Sequence, residues 1–215
     1  MRPDVRKQTN TSKALSRSQN RRRDDIVQAA LKVFDRDGYE AAKMVDIAAE
    51  ADVAKGTLYL YFDNKAALLE GVIQSTILPA IEKIGSDAKT NSGSARELLT
   101  QQLQIIAARQ ASPEMKILLR LMISAPEQHR PIIDFFHTHV LREAMELLHS
   151  TLQRGVASGE FRAEAAHIDP LVLIGAHIYV PVWHNLFGDT VPLDIKKLSN
   201  DGLNLIMDGL LSSPE

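Results

Sequence analysis

Apolar residues recur at three- and four-residue intervals through most of this chain, the spacing of one face of an α-helix. From Asp24 to Asp35 the stripe is Ile26, Val27, Ala30, Leu31 and Phe34. Asp24 and Asp25 suit the N-terminal turn, and Gly38 follows as a C-cap glycine would. Met44, Ile47, Ala48 and Ala51 form the inner face of a short second helix, Met44–Glu50. Ala51-Asp52-Val53 reads as a tight turn, and a third short helix covers Ala54–Leu60. A fourth is predicted over Lys65–Lys83, capped by Asn64 or Asp63 and kinked by Pro79 near its far end. Gly85–Ser94, rich in Gly, Ser, Thr and Asn, reads as a linker. Beyond it the pattern predicts helices over Ala95–Arg109, Pro113–Ser124, Pro131–Ser158, Asp169–Phe187 and Leu193–Leu211. No run alternates with period two. The expected fold is all-α with about nine helices: a three-helix N-terminal domain, residues 21–70, and a larger helical domain, residues 71–215. Residues 1–20, polar and poor in large apolar side chains, are expected to be a disordered arm.

Composition changes this picture at one place. Net charge is −2 over 215 residues, yet residues 1–23 hold eight Arg and Lys against Asp4 alone, so that segment is +7 and the remainder −9. A basic arm on an acidic body points to a polyanionic partner at one end. The absence of cysteine removes disulfides, thiol catalysis and cysteine-metal sites. The apolar runs are broken by His, Gly or Asp, so neither a signal peptide nor a membrane span is expected, and the expected location is the cytoplasm.

The short pair of helices around Ala51–Val53 has helix-turn-helix form, in which the second helix enters the DNA major groove. That geometry needs small residues where backbone meets DNA, and Ala54, Lys55, Gly56 and Thr57 meet it. Glycine there gives up roughly 1 kcal/mol of helix stability against alanine, which close approach would justify. Tyr59 and Tyr61 can reach phosphate with their hydroxyls, whereas Leu58 and Phe62 lack a polar tip and belong in the core. Lys43, Val45 and Lys65 flank the pair as further expected contacts, and Arg21, Arg22 and Arg23 end the basic arm. The expected partner is a palindromic double-stranded DNA operator.

These residues carry a resemblance. Phe34, Gly38-Tyr39, Asp46-Ile47-Ala48, Ala51-Asp52-Val53, Gly56-Thr57-Leu58-Tyr59-Leu60-Tyr61-Phe62 and Lys65-Ala66-Ala67-Leu68 resemble the DNA-binding domain of the TetR family of bacterial transcriptional repressors over Asp24–Leu69. Two positions depart from the family pattern. Ala42-Lys43 stands where a capping threonine pair is usual, and Asp52 replaces the turn glycine. Loss of the cap costs about 1 kcal/mol if nothing replaces it. These departures keep a second reading open, a helical interaction module that no longer reads DNA.

The stretch LRLMISAPEQHRPIIDFFHTHV, with LQRGVASGEFR after it, resembles a C-terminal subtype found among regulators of efflux and stress genes. The resemblance implies a small-molecule pocket and a homodimer built from the last two long helices. Candidate pocket residues are Leu103, Ile106, Met115, Leu118, Met122, Phe135, Phe136, His139, Ile178 and Trp183. Candidate interface residues are Leu171, Ile174, Ile178, Val182, Leu186, Leu198, Leu205 and Ile206. The seven histidines lack the convergent spacing of a metal site, and no phosphate loop, nucleophile motif or metal signature appears. No cofactor, no metal and no enzymatic activity are expected.

Overall fold

The computed structural model describes residues 5–90, 93–124, 127–188 and 190–211; the side chains of 5–17, 88–90, 124 and 176 lie outside the description. The chain divides into two compact units, residues 1–75 and 76–215. Among the described residues every regular element is helical, apart from one isolated bridge between Phe161 and Leu211.

The first unit begins with α1, Val5–Asp37. This helix starts well before the expected Asp24, so the described part of the expected disordered arm is helical. Residues 5–23 contain no Gly or Pro and are rich in Lys, Arg and Gln, which permits a helix. They lack the apolar stripe by which periodicity would reveal one. From Ile26 onward the stripe is real: Ile26, Val27, Ala30, Val33 and Phe34 are fully buried. Gly38, at φ +78°, closes the helix, with its N–H on Phe34 O at 3.0 Å. α2 (Met44–Glu50) and α3 (Lys55–Tyr61) contribute Ile47, Ala48 and Leu58 to this core, and α4 (Lys65–Thr76) contributes Leu68, Leu69, Val72 and Ile73. Asn64 caps α4, its Oδ1 accepting from Ala67 N at 2.9 Å. Gly71 lets the Phe62 ring lie against α4; a Cβ there would stand 2.4 Å from Phe62 Cε1.

The helix expected over Lys65–Lys83 is two helices. α4 stops at Thr76 and α5 runs from Leu78 to Thr90. Pro79 has no N–H to offer Ser75, and its ring clashes with that carbonyl, so the break falls ahead of the proline. α5 also takes in 85–90 of the expected linker, while 91–92 lie outside the described residues.

In the second unit α6 (Ala95–Gln110) packs on α5, α9, α10 and α11. A capping box starts it: Glu97 N donates to Ser94 Oγ at 3.0 Å and Ser94 N donates to Glu97 Oε2 at 3.3 Å. α7 (Pro113–Ser124) follows, then α8 (Arg130–Phe136), a π turn (His137–Leu141) and α9 (Arg142–Ala157) in unbroken succession. A 3-10 turn (Ala163–His167) leads to α10 (Pro170–Phe187) and α11 (Ile195–Leu210). α10 has 18 residues at mean hydropathy 1.2, long and apolar enough to cross a membrane by length and composition, a length the sequence reading excluded. Here it packs on α6 and α7, with Leu173, Ile174, His177 and Val180 buried.

Candidate nucleic-acid interface and apolar cleft

The turn between α2 and α3 is a Schellman motif. Val53 N donates to Ala48 O at 3.0 Å and Asp52 N to Ala49 O at 3.2 Å, which satisfies two orphan carbonyls of α2. Asp52 holds the left-handed position at φ +52°, the single non-glycine residue with positive φ among those described. Aspartate tolerates this conformation better than most side chains, so the missing glycine leaves the turn intact. Lys43 at the start of α2 and Ala54 at the start of α3 make no side-chain cap, so the loss inferred from Ala42-Lys43 is not repaired locally.

The turn directs one face of α3 outward. Lys55, Gly56, Tyr59 and Leu60 lie at spacings of four along it and all are exposed. A Cβ at Gly56 would meet nothing within 4 Å, so a partner can approach the backbone there. Lys55 Nζ sits 5.9 Å from the centroid of the Tyr59 ring, and Tyr59 is 40% exposed. Thr57 and Tyr61 are half-buried, while Arg21, Arg22, Lys43, Val45 and Ala54 are exposed. Leu58 and Phe62 are core, as their lack of a polar tip predicts. Sequence reasoning missed Leu60, 84% exposed on the same face as Gly56. Its spacing of two from Leu58 was the available signal.

Two expected phosphate contacts are otherwise engaged. The Lys65 ammonium donates to Tyr39 O at 2.5 Å, Glu40 O at 2.9 Å and Ala42 O at 3.2 Å, and lies 4.5 Å from the Tyr39 ring centroid. Its three N–H donors therefore tie the α1–α2 loop to α4, and burial pulls its pKa below the usual lysine value. Arg23 lies over the Phe62 ring at 5.2 Å and donates to Gln74 Oε1 at 3.1 Å. It braces the domain instead of projecting from it.

The second unit holds a small apolar cleft of about 50 Å³, partly open to solvent. Its walls are Ile77, Ala80, Ile81 and Ile84 of α5 with the segment leading into it, Ile105, Ile106, Arg109 and Gln110 of α6, Met115 of α7, and Ile174 of α10. Phe136, Val140, Leu141 and Ala144 complete it. The π turn lies here, and its wider winding sets both Val140 and Leu141 on the wall. The lining suits an apolar group or the apolar part of an amphipathic molecule.

A profile for bacterial regulatory proteins of the tetR family matches residues 26–72. A fatty acid metabolism regulator protein of Bacillus subtilis (strain 168) is 26% identical over 187 residues, 86% of this chain and 93% of the relative. The solved structure of the Bacillus subtilis regulator FadR in complex with stearoyl-CoA superposes with a TM-score of 0.68 at 26% identity, covering 86% of this chain and 97% of that one. Residues 26–72 thus match a tetR-family DNA-binding domain, and the chain as a whole is similar to regulators of that family. It is a helix-turn-helix, DNA-binding transcriptional regulator of the repressor type. The repressor KstR of Mycolicibacterium smegmatis is 43% identical over 76 residues, 35% of this chain and 34% of the relative.

In this regulator, Ile106, Met115 and Phe136 of the expected pocket set line the cleft. Leu103 and Leu118 are core residues away from its wall, Met122 is half-buried, and Phe135 stacks on exposed His139 at 4.6 Å. Trp183 lies between Tyr179 and Phe187 at 5.6 and 4.4 Å and donates to Val191 O at 2.8 Å. Ile174, expected at a dimer interface, is buried and faces the cleft instead, because α10 turns that side toward its own unit. Leu171, Ile178, Leu186 (70% exposed) and Leu205 (74%) are surface residues, while Val182, Leu198 and Ile206 are half-buried. Val172, 66% exposed, extends this apolar surface and was missed.

Proposed function

We propose that this regulator is a cytoplasmic homodimer that binds a palindromic operator through the outward face of α3 and releases it when a small amphipathic effector enters the cleft. The observation that carries the DNA reading is the face of Lys55, Gly56, Tyr59 and Leu60, set outward by an intact turn and open to close approach at Gly56. The apolar surface of α10 and α11 supports self-association, since contiguous exposed apolar side chains mark interfaces. Two recognition helices then meet half-sites about one helical turn of DNA apart, or a small multiple of it. The apolar cleft supports the effector reading, and the Bacillus subtilis relative crystallised with stearoyl-CoA supports a long acyl chain as its class.

Footprinting of the purified protein on sheared DNA of its source genome tests the reading. Discrete, two-fold symmetric protected sites are expected, lost in Gly56→Asp and Leu60→Asp variants that retain the wild-type Tm. Binding that is salt-sensitive but protects no discrete site would overturn it. Light scattering at micromolar concentration should report a dimer, and Leu186→Glu with Leu205→Glu a monomer.

A further inference from the structure

Bases are read in the major groove by two chemistries, hydrogen bonds to their edges and apolar contact with the thymine methyl. The first needs Arg, Lys, Asn, Gln, Asp or Glu for a firm pairing with one base. α3, KGTLYLY, holds none of these except Lys55. The Lys55 ammonium stands 5.9 Å from the Tyr59 ring centroid and is a compact point charge of the kind that suits phosphate. Leu60 offers the second chemistry. It is 84% exposed, the most exposed large apolar side chain among the described residues. Folding gains little from it, since Leu58, two residues earlier, is the one that fills the core. Single apolar residues are ordinary on a surface, but this one lies on the face that the turn directs outward. It follows Gly56 by one helical turn, roughly 6 Å of axis, or about two base-pair steps. Nothing lies within 4 Å of a Cβ built at Gly56, so the backbone of α3 can come against base edges there and carry Leu60 into the groove.

We propose that Leu60 is a specificity-determining residue of the operator contact: its side chain packs on the C5-methyl group of one thymine in each half-site, so that this position is read as a methyl and not as a hydrogen-bonding edge. The inference rests on the operator reading above and names the base feature that α3 selects. Lys55 adds affinity without sequence information, as phosphate contacts do. Leu60 does the converse. A leucine side chain has no donor or acceptor, so it gains nothing from thymine O4 and gains apolar contact from the methyl. On cytosine the methyl is missing, and the same side chain crowds water away from the N4 amino group, which then lacks a partner. Reversing the A·T pair moves the methyl to the other strand, out of reach of the same contact. The methyl is therefore read together with the strand that carries it.

The probe is a pool of randomised duplexes, enriched on the wild-type protein. The enriched duplex is resynthesised with uracil in place of each thymine in turn, which removes the methyl and keeps every hydrogen-bonding group of the base. Affinity is read by fluorescence anisotropy. One thymine in each half-site should weaken binding about fourfold on losing its methyl, the worth of one buried carbon of that size. Cytosine at that position should weaken it further, and 5-methylcytosine should recover part of the loss. Leu60→Ala, at an exposed position, should keep the wild-type Tm and show no uracil effect at that thymine. An enriched duplex on which no uracil substitution matters overturns the inference and leaves operator binding standing. An equal uracil effect in wild type and Leu60→Ala also overturns it, because the methyl then meets another side chain. Failure of the wild type to enrich any sequence overturns the operator reading and this inference together. The uracil and 5-methylcytosine comparisons on wild-type protein need no variant, so they test the methyl readout even where Leu60→Ala does not fold.

Discussion

Replacing Lys65 with methionine separates two roles that one position could hold. Methionine keeps the length of the aliphatic stem and removes the ammonium. Three backbone carbonyls, Tyr39 O, Glu40 O and Ala42 O, lose a charged donor, and the Tyr39 ring loses its cation. A hydrogen bond to a charged group contributes about 1.5–3 kcal/mol, and a partly exposed cation–π contact about 0.5–1 kcal/mol. The three bonds share one ammonium, and exposed Glu40 leaves its carbonyl within reach of water, so they do not add in full. A loss of about 2–4 kcal/mol follows, a large part of the stability of a small domain. Urea unfolding followed by circular dichroism should show the midpoint shifted down at unchanged m-value. DNA affinity would fall with folding, so the salt slope discriminates. Each phosphate contact adds about 0.9 to the slope, and Lys65→Met measured on its folded fraction should keep the wild-type value. Lys55→Met should do the reverse, with stability retained and a slope smaller by about one. A Lys65→Met protein with the wild-type urea midpoint and a slope reduced by about one would refute the structural assignment.

Two glycine replacements should act with opposite sign in urea melts. A Cβ at Gly155 would stand 2.0 Å from Phe161 Cδ2, inside a ring that is 2% exposed, so Gly155→Ala should destabilise by about 1–3 kcal/mol or more. A Cβ at Gly85 meets Leu147 at 3.7 Å, an ordinary contact, so Gly85→Ala should stabilise α5 by roughly 1 kcal/mol; a loss there would contradict the packing. Glu160 accepts from Ala95 N at 2.9 Å and Arg96 N at 3.1 Å, and these bonds hold its pKa below the usual glutamate value. Its contribution is present above the unfolded pKa and lost as pH falls through the folded one, so Glu160→Ala should cost about 1 kcal/mol at pH 7 and flatten the acid limb. An unchanged acid limb would remove the cap from the account. Burial lowers the pKa of His177, whose Nε2 has no protein hydrogen-bond partner. Below about pH 6.5 the unfolded chain takes a proton that the folded chain refuses, so stability falls with pH. His177→Leu should reduce that slope between pH 8 and 5.5, and equal slopes in both proteins would count against it.

The sequence by itself determined the helices and the DNA-reading turn, because both are local. Spacings of three and four residues report a buried stripe wherever one exists, and the run from Asp46 to Phe62 carries its small, aromatic and turn residues within a few helical turns. The start of α1 escaped this reading, since a helix without an apolar face leaves no period to detect. The break before Pro79 was legible in kind but misplaced, because the proline acts on the carbonyl four residues earlier. Tertiary structure decided what each side chain meets. Lys65 finds carbonyls 23 to 26 residues away, Glu160 caps a helix 64 and 65 residues upstream, and Arg109 reaches Thr76 across 33. Ile174 and Ile178 share an apolar helix, yet one lines a cleft and the other faces solvent. Periodicity gives the face a residue lies on and not the partner that face will meet. That partner is set by the packing of helices distant in sequence, which also made the cleft and set Arg109 on its wall.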